Sequence, residues 1–459
     1  MEAKTPSLKC LGTSELRKFI TQNQNEYRSF LLPGEHIASG MDYDLPYAIS
    51  YLQNRVRSAL FFFINGSYWL ENNFERGLVT NIYSGPADPH AKNILKGLLP
   101  ALCHINKKFS IFGEVLDELI TKSLVLTSNQ KMARIFCAFY KEFDTISYKL
   151  HAVSEAGRKS QCVLDEKDYK IEDKKYLKPL FDLQKFSNRY FKDMLEGFYL
   201  HGSLASMDYI RNWSDLDTFM VIKKETLLEP NQLNELRKRS IQSHKFLYRI
   251  DPYQLHGHLL ISEFDLNYYP QIYFPSVLLN YSKSFFYKEP ILTFCQRDCH
   301  AERLAAFWFD AIHYFVVKTL QYKNKKRPLR WNREKKLFIH RLLTFPLFYL
   351  QAKGHQIYKK YSFDKAEKDF DVKIWQVIRE ATSFMDQWKK DCQTDDGSRI
   401  GNILNSKLYF LFINANKDFR TSHMRRRFKT FEKNYEWWLY SALNLSFSGW
   451  RKTLRTMEI

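Results

Sequence analysis

Apolar positions along this chain follow two rhythms. Leu16, Ile20, Tyr27 and Phe30, and later Leu98, Leu99, Leu102 and Ile105, return at nearly helical intervals. They predict helices through most of residues 14–160. The run Gly85-Pro86-Ala87-Asp88-Pro89 predicts a loop between two helical groups, and Gly66-Ser67 a turn or helix interruption. Ser154–Lys175, charged and carrying Gly157, reads as a connector. From residue 176 the rhythm changes. Tyr176–Leu195 predicts a helix with Leu180, Leu183, Phe186, Tyr190 and Met194 on one side. Short apolar runs at Phe198–Leu200 and Phe219–Ile222 predict strands, Leu227–Phe246 a second helix, and Gln254–Ser262 a third strand. Beyond residue 300 the helical spacing returns, over Ala301–Gln321, Lys335–Gly354 and Lys373–Lys389.

This pattern divides the 459 residues into a helical segment (1–175), a mixed core (176–295) and a second helical segment (296–459). The expected fold class is α+β, a small mixed sheet with helices, flanked by helical domains. Composition agrees: 45% hydrophobic, 16% aromatic, with 16 Gly and 14 Pro. No run of 18 apolar residues occurs; the best candidate, Ala59–Leu70, is broken by Asn65, Gly66 and Ser67. No membrane span is expected. Lys and Glu scattered over the first twenty residues do not make a signal-peptide pattern. The seven cysteines form no CxxC pair. Cys295, Cys299 and His300 have metal-ligating side chains, but reduced thiols of a cytoplasmic protein are the better reading.

Candidate chemistry is concentrated in residues 198–222. The strand Phe198–Leu200 runs into Gly202-Ser203, and 12 residues after Ser203 comes Asp215-Leu216-Asp217, leading into the next strand. Side chains alternate along a strand, so Asp215 and Asp217 are expected on one face. Two adjacent carboxylates repel unless a cation sits between them, and Mg²⁺ favours such oxygens together with phosphate. Gly202 permits close backbone approach, and Ser203 offers a hydroxyl and an N–H. A helix beginning within Leu204–Tyr209 would turn its first amides toward an anion. Ser214 is placed to fix the strand entry by local hydrogen bonding.

Gly-Ser, a loop of about a dozen residues, then Ser-Asp-x-Asp entering a strand resembles the active-site signature of the DNA polymerase beta-like nucleotidyltransferase superfamily. The motif covers about 25 residues and the topology about 95; residues before 176 are unexplained by it. The resemblance implies metal-dependent transfer of a nucleoside monophosphate from a nucleoside triphosphate, with Mg²⁺ or Mn²⁺ as cofactor. Gly202, Ser203 and Ser214 would belong to the nucleotide site, and Asp215 and Asp217 would bind metal. Helical domains after this unit often lend a lysine to the phosphates, which makes Lys360 or Lys359 a candidate beside a plain helix-capping role.

The departure from the pattern lies at the third carboxylate, which active members place on the next central strand. Here that strand reads Gln254-Leu255-His256-Gly257-His258, with Asp251 before it and Glu263 and Asp265 after it. Alternation along it predicts Gln254, His256 and His258 on one face. Histidine suits a general base near neutral pH or a metal ligand. His256 is the candidate third catalytic group, with His258 and Asp251 as alternatives and a merely polar strand face as the plain one.

Charge separates the last third from the rest. Residues 301–459 carry 32 Lys and Arg against 16 Asp and Glu, whereas residues 189–300 carry 13 of each. Residues 322–336 and 424–429 interleave cations with aromatics, a composition suited to RNA or another polyanion. Two functions are therefore expected to compete. One is a nucleotidyltransferase acting on RNA, protein or a small hydroxyl compound. The other is a catalytically silent nucleotide- or RNA-binding module of the same fold.

Overall fold

The computed structural model describes residues 45–66, 89–115, 128–147, 155–160, 162–211, 213–251, 256–266, 274–287, 291–296, 307–325, 332–392 and 422–455. Ser14, Asp117, Gln254, Tyr269 and Arg303 are described as well. The apolar positions from Leu16 to Phe30 expected to be helical, most of the Gly85–Pro89 stretch, Cys299, His300 and the 326–331 part of the first basic run lie outside the described residues. The described residues gather into two compact units, one holding those from residue 45 to 296 and the other holding Ser14 together with those from Arg303 onward.

The first unit opens with four helices, α1 (Leu45–Asn65), α2 (Pro89–Gly97), α3 (Leu99–Phe109) and α4 (Asn129–Ser147). Leu52, Val56, Leu60 and Phe63 return every three or four residues on α1 and are all fully buried, so its apolar stripe is its packing face. The chain continues through β1 (Glu155–Ser160), β2 (Cys162–Val163), α5 (Lys174–Tyr190), β3 (Leu195–Leu200), a single turn α6 (Gly202–Ala205) and β4 (Thr218–Ile222). Then follow α7 (Lys224–Leu228), α8 (Pro230–Ile250), β5 (Leu259–Ser262), α9 (Glu263–Leu266), β6 (Lys283–Ser284) and β7 (Ile291–Gln296).

Five strands form one mixed sheet in the order β2-β6-β3-β4-β5. β3 pairs antiparallel with β4 and β6, while β4 runs parallel to β5. A parallel pair needs a long crossover, and α7 and α8 supply it. β1 and β7 form a separate antiparallel ribbon. The architecture is thus mixed α+β with a small mixed sheet. Alternation divides the strand side chains cleanly. Phe198, Leu200, Met220, Ile222 and Leu260 enter a large core shared with α1–α4, whereas Tyr199, Phe219, Val221 and Ile261 enter a smaller cluster on the other face.

Four local expectations change. The stretch Ser154–Lys175, expected to be a connector, carries β1 and β2, and β2 is an edge of the five-stranded sheet. The helix expected over Leu227–Phe246 is two helices, because Glu229 is extended (φ −117°, ψ 109°) ahead of Pro230. Proline disfavours a helical residue before it and starts a helix well. The helix expected within Leu204–Tyr209 is only the turn Gly202–Ala205, after which Met207 takes φ +62°. A four-residue turn has no useful helix dipole. The strand expected over Gln254–Ser262 is regular only from Leu259.

The second unit is helical among the described residues. A π-helical turn (Trp308–His313) leads into α10 (Tyr314–Lys325) and α11 (Asn332–Ala352). α12 (Ser362–Glu367), α13 (Val372–Cys392), α14 (Ser422–Lys433) and α15 (Tyr435–Arg455) follow. Its core is aromatic, with Trp308, Phe315, Phe338, Trp375 and Trp450 buried. Among the described residues, no helix is long and apolar enough to cross a membrane.

Candidate metal centre

Residues Asp215, Leu216 and Asp217 lie just before β4 and already follow its alternation. Leu216 is fully buried in the large core, so its two neighbours point away from that core. Ligand atoms of Asp215, Asp217 and His256 all lie within 4.8 Å of one another, and each residue is partly exposed. It is the one such group of three or more His, Cys, Asp or Glu among the described residues. Asp251 and His258 are not in it. Asp251 is buried at the end of α8.

Gly202 closes the group from the β3 side. Its φ is +71°, and a methyl group built on it would overlap the Asp217 carboxylate. Glycine is required here twice over, by backbone conformation and by contact. The backbone agrees with the contact: the His201 amide donates to the Asp217 carbonyl at 3.0 Å. Ser203 Oγ donates to Ser214 Oγ at 2.9 Å, and Ser214 Oγ accepts from the Ile210 amide at 2.9 Å. The two serines therefore join the ends of the loop that separates the Gly-Ser turn from the carboxylates.

Two buried carboxamides set the geometry, and sequence reasoning did not assign either this role. Gln254, expected to face the site, instead behaves like a strand. Its Oε1 accepts from the Leu216 amide at 3.2 Å and its Nε2 donates to the Leu216 carbonyl at 2.9 Å. It thus clamps the residue between the two carboxylates. Asn65, at the end of α1, does the same for the histidine segment. Its Oδ1 accepts from the His258 amide at 2.8 Å and from His244 Nε2 at 3.1 Å. Its Nδ2 donates to the carbonyls of His258 at 2.9 Å and Phe61 at 3.1 Å. All four hydrogen-bonding positions of Asn65 are used. Gly257 is needed at this crossing, since a Cβ there would overlap Asn65 Oδ1.

This clamp separates the histidines. His256 Nε2 stands 3.4 Å from Asp217 Oδ1. His258 is fully buried on the other side, paired through Nδ1 with Thr218 Oγ1 at 2.6 Å and through Nε2 with Ser243 Oγ at 2.7 Å. Replacing Asn65 with alanine orphans the buried His258 amide and carbonyl, at about 1–3 kcal/mol for each group left unsatisfied. Asn65→Ala is expected to lower the urea midpoint clearly and to weaken divalent-ion binding, as measured by chemical denaturation and metal titration.

The titration behaviour of the histidines is opposed. Burial works against a charge on His256, but the hydrogen bond and fields of Asp217, with Asp215 adding to them, raise its imidazole to about 9. Burial, with the nearby charge of His256, lowers His244 to about 3, and His258 is held well below its ordinary value by burial, with His244 and then His256 adding to it. His201, buried at the start of α6, is lowered to about 4 by burial, with His256 adding to that and Asp217 opposing it. For a lowered pair such as His201 and His244, the unfolded chain takes up protons first as pH falls below about 6.5. Stability is expected to drop steeply between pH 6.5 and 4, read as the urea midpoint against pH. His256 has the opposite sign. In metal-free protein its contribution is complete below about 6.5 and disappears as pH rises through about 9, and His256→Gln should flatten that alkaline limb.

Two carboxylates and one imidazole suit a divalent cation. An ion about 2.1 Å from each donor spans donors up to about 4.2 Å apart, so small side-chain rotations close this set. Lys360, the other nucleotide candidate, lies in the second unit, where its ammonium sits over the Tyr361 ring (5.9 Å to the centroid). Lys359 lies in the same 3₁₀ turn. The neighbouring Lys353 pairs with Asp369 at 2.7 Å. Compared with known proteins, the chain matches no family model, no curated protein and no solved structure.

Proposed function

We propose that this protein is a metal-dependent nucleotidyltransferase. The observation that carries the reading is the convergence at Asp217: the Gly202 backbone lies directly against a carboxylate that also faces Asp215 and His256. A Gly-Ser turn next to a carboxylate pair, with the ends of the intervening loop joined through Ser203 and Ser214, supports a reading in which a triphosphate is held beside a cation.

In this reading Asp215 and Asp217 hold the divalent ion, and the Gly202-Ser203 turn receives the triphosphate. Bound there, the ion offsets negative charge on the phosphate oxygens. The chain orients its carboxylates through Gln254 and keeps the turn narrow through Gly202. The acceptor is a hydroxyl-bearing molecule that attacks the α-phosphorus while pyrophosphate leaves. The basic second unit favours RNA or another polyanion as that acceptor.

The test is transfer from an α-labelled nucleoside triphosphate with Mg²⁺ or Mn²⁺ supplied. Label on RNA, protein or a small acceptor that disappears with chelator supports the reading. The second reading, a nucleotide-binding module without turnover, draws on the lack of a third carboxylate in the group. Saturable nucleotide binding with no label transferred to any acceptor would favour it.

A further inference from the structure

We infer that His256 is a third, nitrogen ligand of the centre and that the working ion is accordingly a first-row transition ion, probed with Mn²⁺, rather than Mg²⁺. This rests on the reading of Asp215 and Asp217 as a metal site and goes beyond it in naming the donor set and the class of ion.

The argument starts from the ring orientation. His256 Nδ1 lies 2.8 Å from the Gly257 carbonyl oxygen. A carbonyl only accepts, so Nδ1 carries the hydrogen and the neutral ring presents its lone pair at Nε2. Nε2 is the atom that faces Asp217. An imidazole that donates through one nitrogen to a backbone carbonyl and turns the other toward carboxylates has the orientation of a metal ligand.

The position of the ring is imposed from outside the group. Asn65 fixes the backbone of His258, two residues on, and leaves no room for a side chain at Gly257. Gln254 independently fixes Leu216 between the carboxylates. Both sides of the site are therefore set before an ion arrives, by residues that would contribute nothing to a solvated acidic edge. Preorganisation of this kind lowers the ordering cost of binding.

The donor set then selects the ion. Mg²⁺ prefers oxygen donors and retains several waters, whereas first-row transition ions gain from an imidazole nitrogen. Mn²⁺, the weakest-binding of these ions, would still take an imidazole beside carboxylate oxygens and so serves as the probe of that preference. Two carboxylates and one nitrogen fit it better than they fit Mg²⁺.

The experiment uses the full chain and Mn²⁺ alone, without nucleotide. Pulsed electron paramagnetic resonance of the bound ion should record hyperfine coupling to an imidazole nitrogen. His256→Gln should lose that coupling and bind Mn²⁺ about ten-fold more weakly or worse. His256→Asp, which supplies oxygen in place of nitrogen, should also lose the coupling and shift the Mn²⁺-to-Mg²⁺ affinity ratio about ten-fold toward Mg²⁺. Bound Mn²⁺ without nitrogen coupling in the wild type overturns the inference while leaving the carboxylate site standing, and so does an unchanged ratio in His256→Asp. No Mn²⁺ binding, or binding that survives Asp215→Ala with Asp217→Ala, overturns the underlying metal site as well. The wild-type spectrum depends on no variant folding correctly.

Discussion

Replacing Asp217 with asparagine is expected to reduce label transfer from an α-labelled nucleoside triphosphate by about 10³-fold or more. Asp217 faces all three other parts of the site: Gly202, Asp215 and His256. Asparagine preserves the volume beside Gly202 but removes the charge. Charge stabilisation by a bound cation is worth several kcal/mol, and each 1.4 kcal/mol is a factor of ten in rate. The loss should fall on metal affinity and turnover, and the stability that the His256–Asp217 pair contributes to the metal-free protein should go with it. Asp215→Asn should act in the same direction. Equal label transfer by wild type and both variants would remove the nucleotidyltransferase reading.

The second large effect is expected at Gly202. Gly202→Ala adds a methyl group where φ is +71° and where that methyl overlaps the Asp217 carboxylate. The backbone strain costs about 1–3 kcal/mol. The carboxylate must also move, and a displacement near 1 Å in a catalytic group costs about 10²-fold. Gly202→Ala should therefore lose activity well beyond what its fall in Tm explains. Gly97→Ala is the matched control, because a Cβ there meets nothing within 4 Å. Thermal melts and initial rates on both variants separate strain from catalytic displacement. Comparable activity in the two would show that the Gly202 contact has no role in turnover.

Much of the mixed core was legible because its signals are local. Apolar runs mark β3 and β4, and period-two alternation puts Asp215 and Asp217 on one side of the buried Leu216. Glu229-Pro230 was legible in principle as a helix break, since proline constrains the residue before it. The histidine segment was harder. Alternation over Gln254–Ser262 assumed a regular strand, but regular pairing begins at Leu259, so Gln254, His256 and His258 serve three different purposes.

What local pattern carried was therefore the set of elements and the identity of the carboxylate pair, because both depend on residues within a few positions of one another. Long-range packing settled the rest. The helical segment before residue 150 shares its apolar core with the sheet, and Asn65, nearly two hundred residues from His258, completes the backbone pairing that β5 does not extend to. A carboxamide can replace a strand's hydrogen bonds only where the fold brings it alongside. No spacing in the chain reveals that, since Asn65 reads there as the residue before a turn. Which histidine meets Asp217 and which is buried against Thr218 and Ser243 follows from that contact.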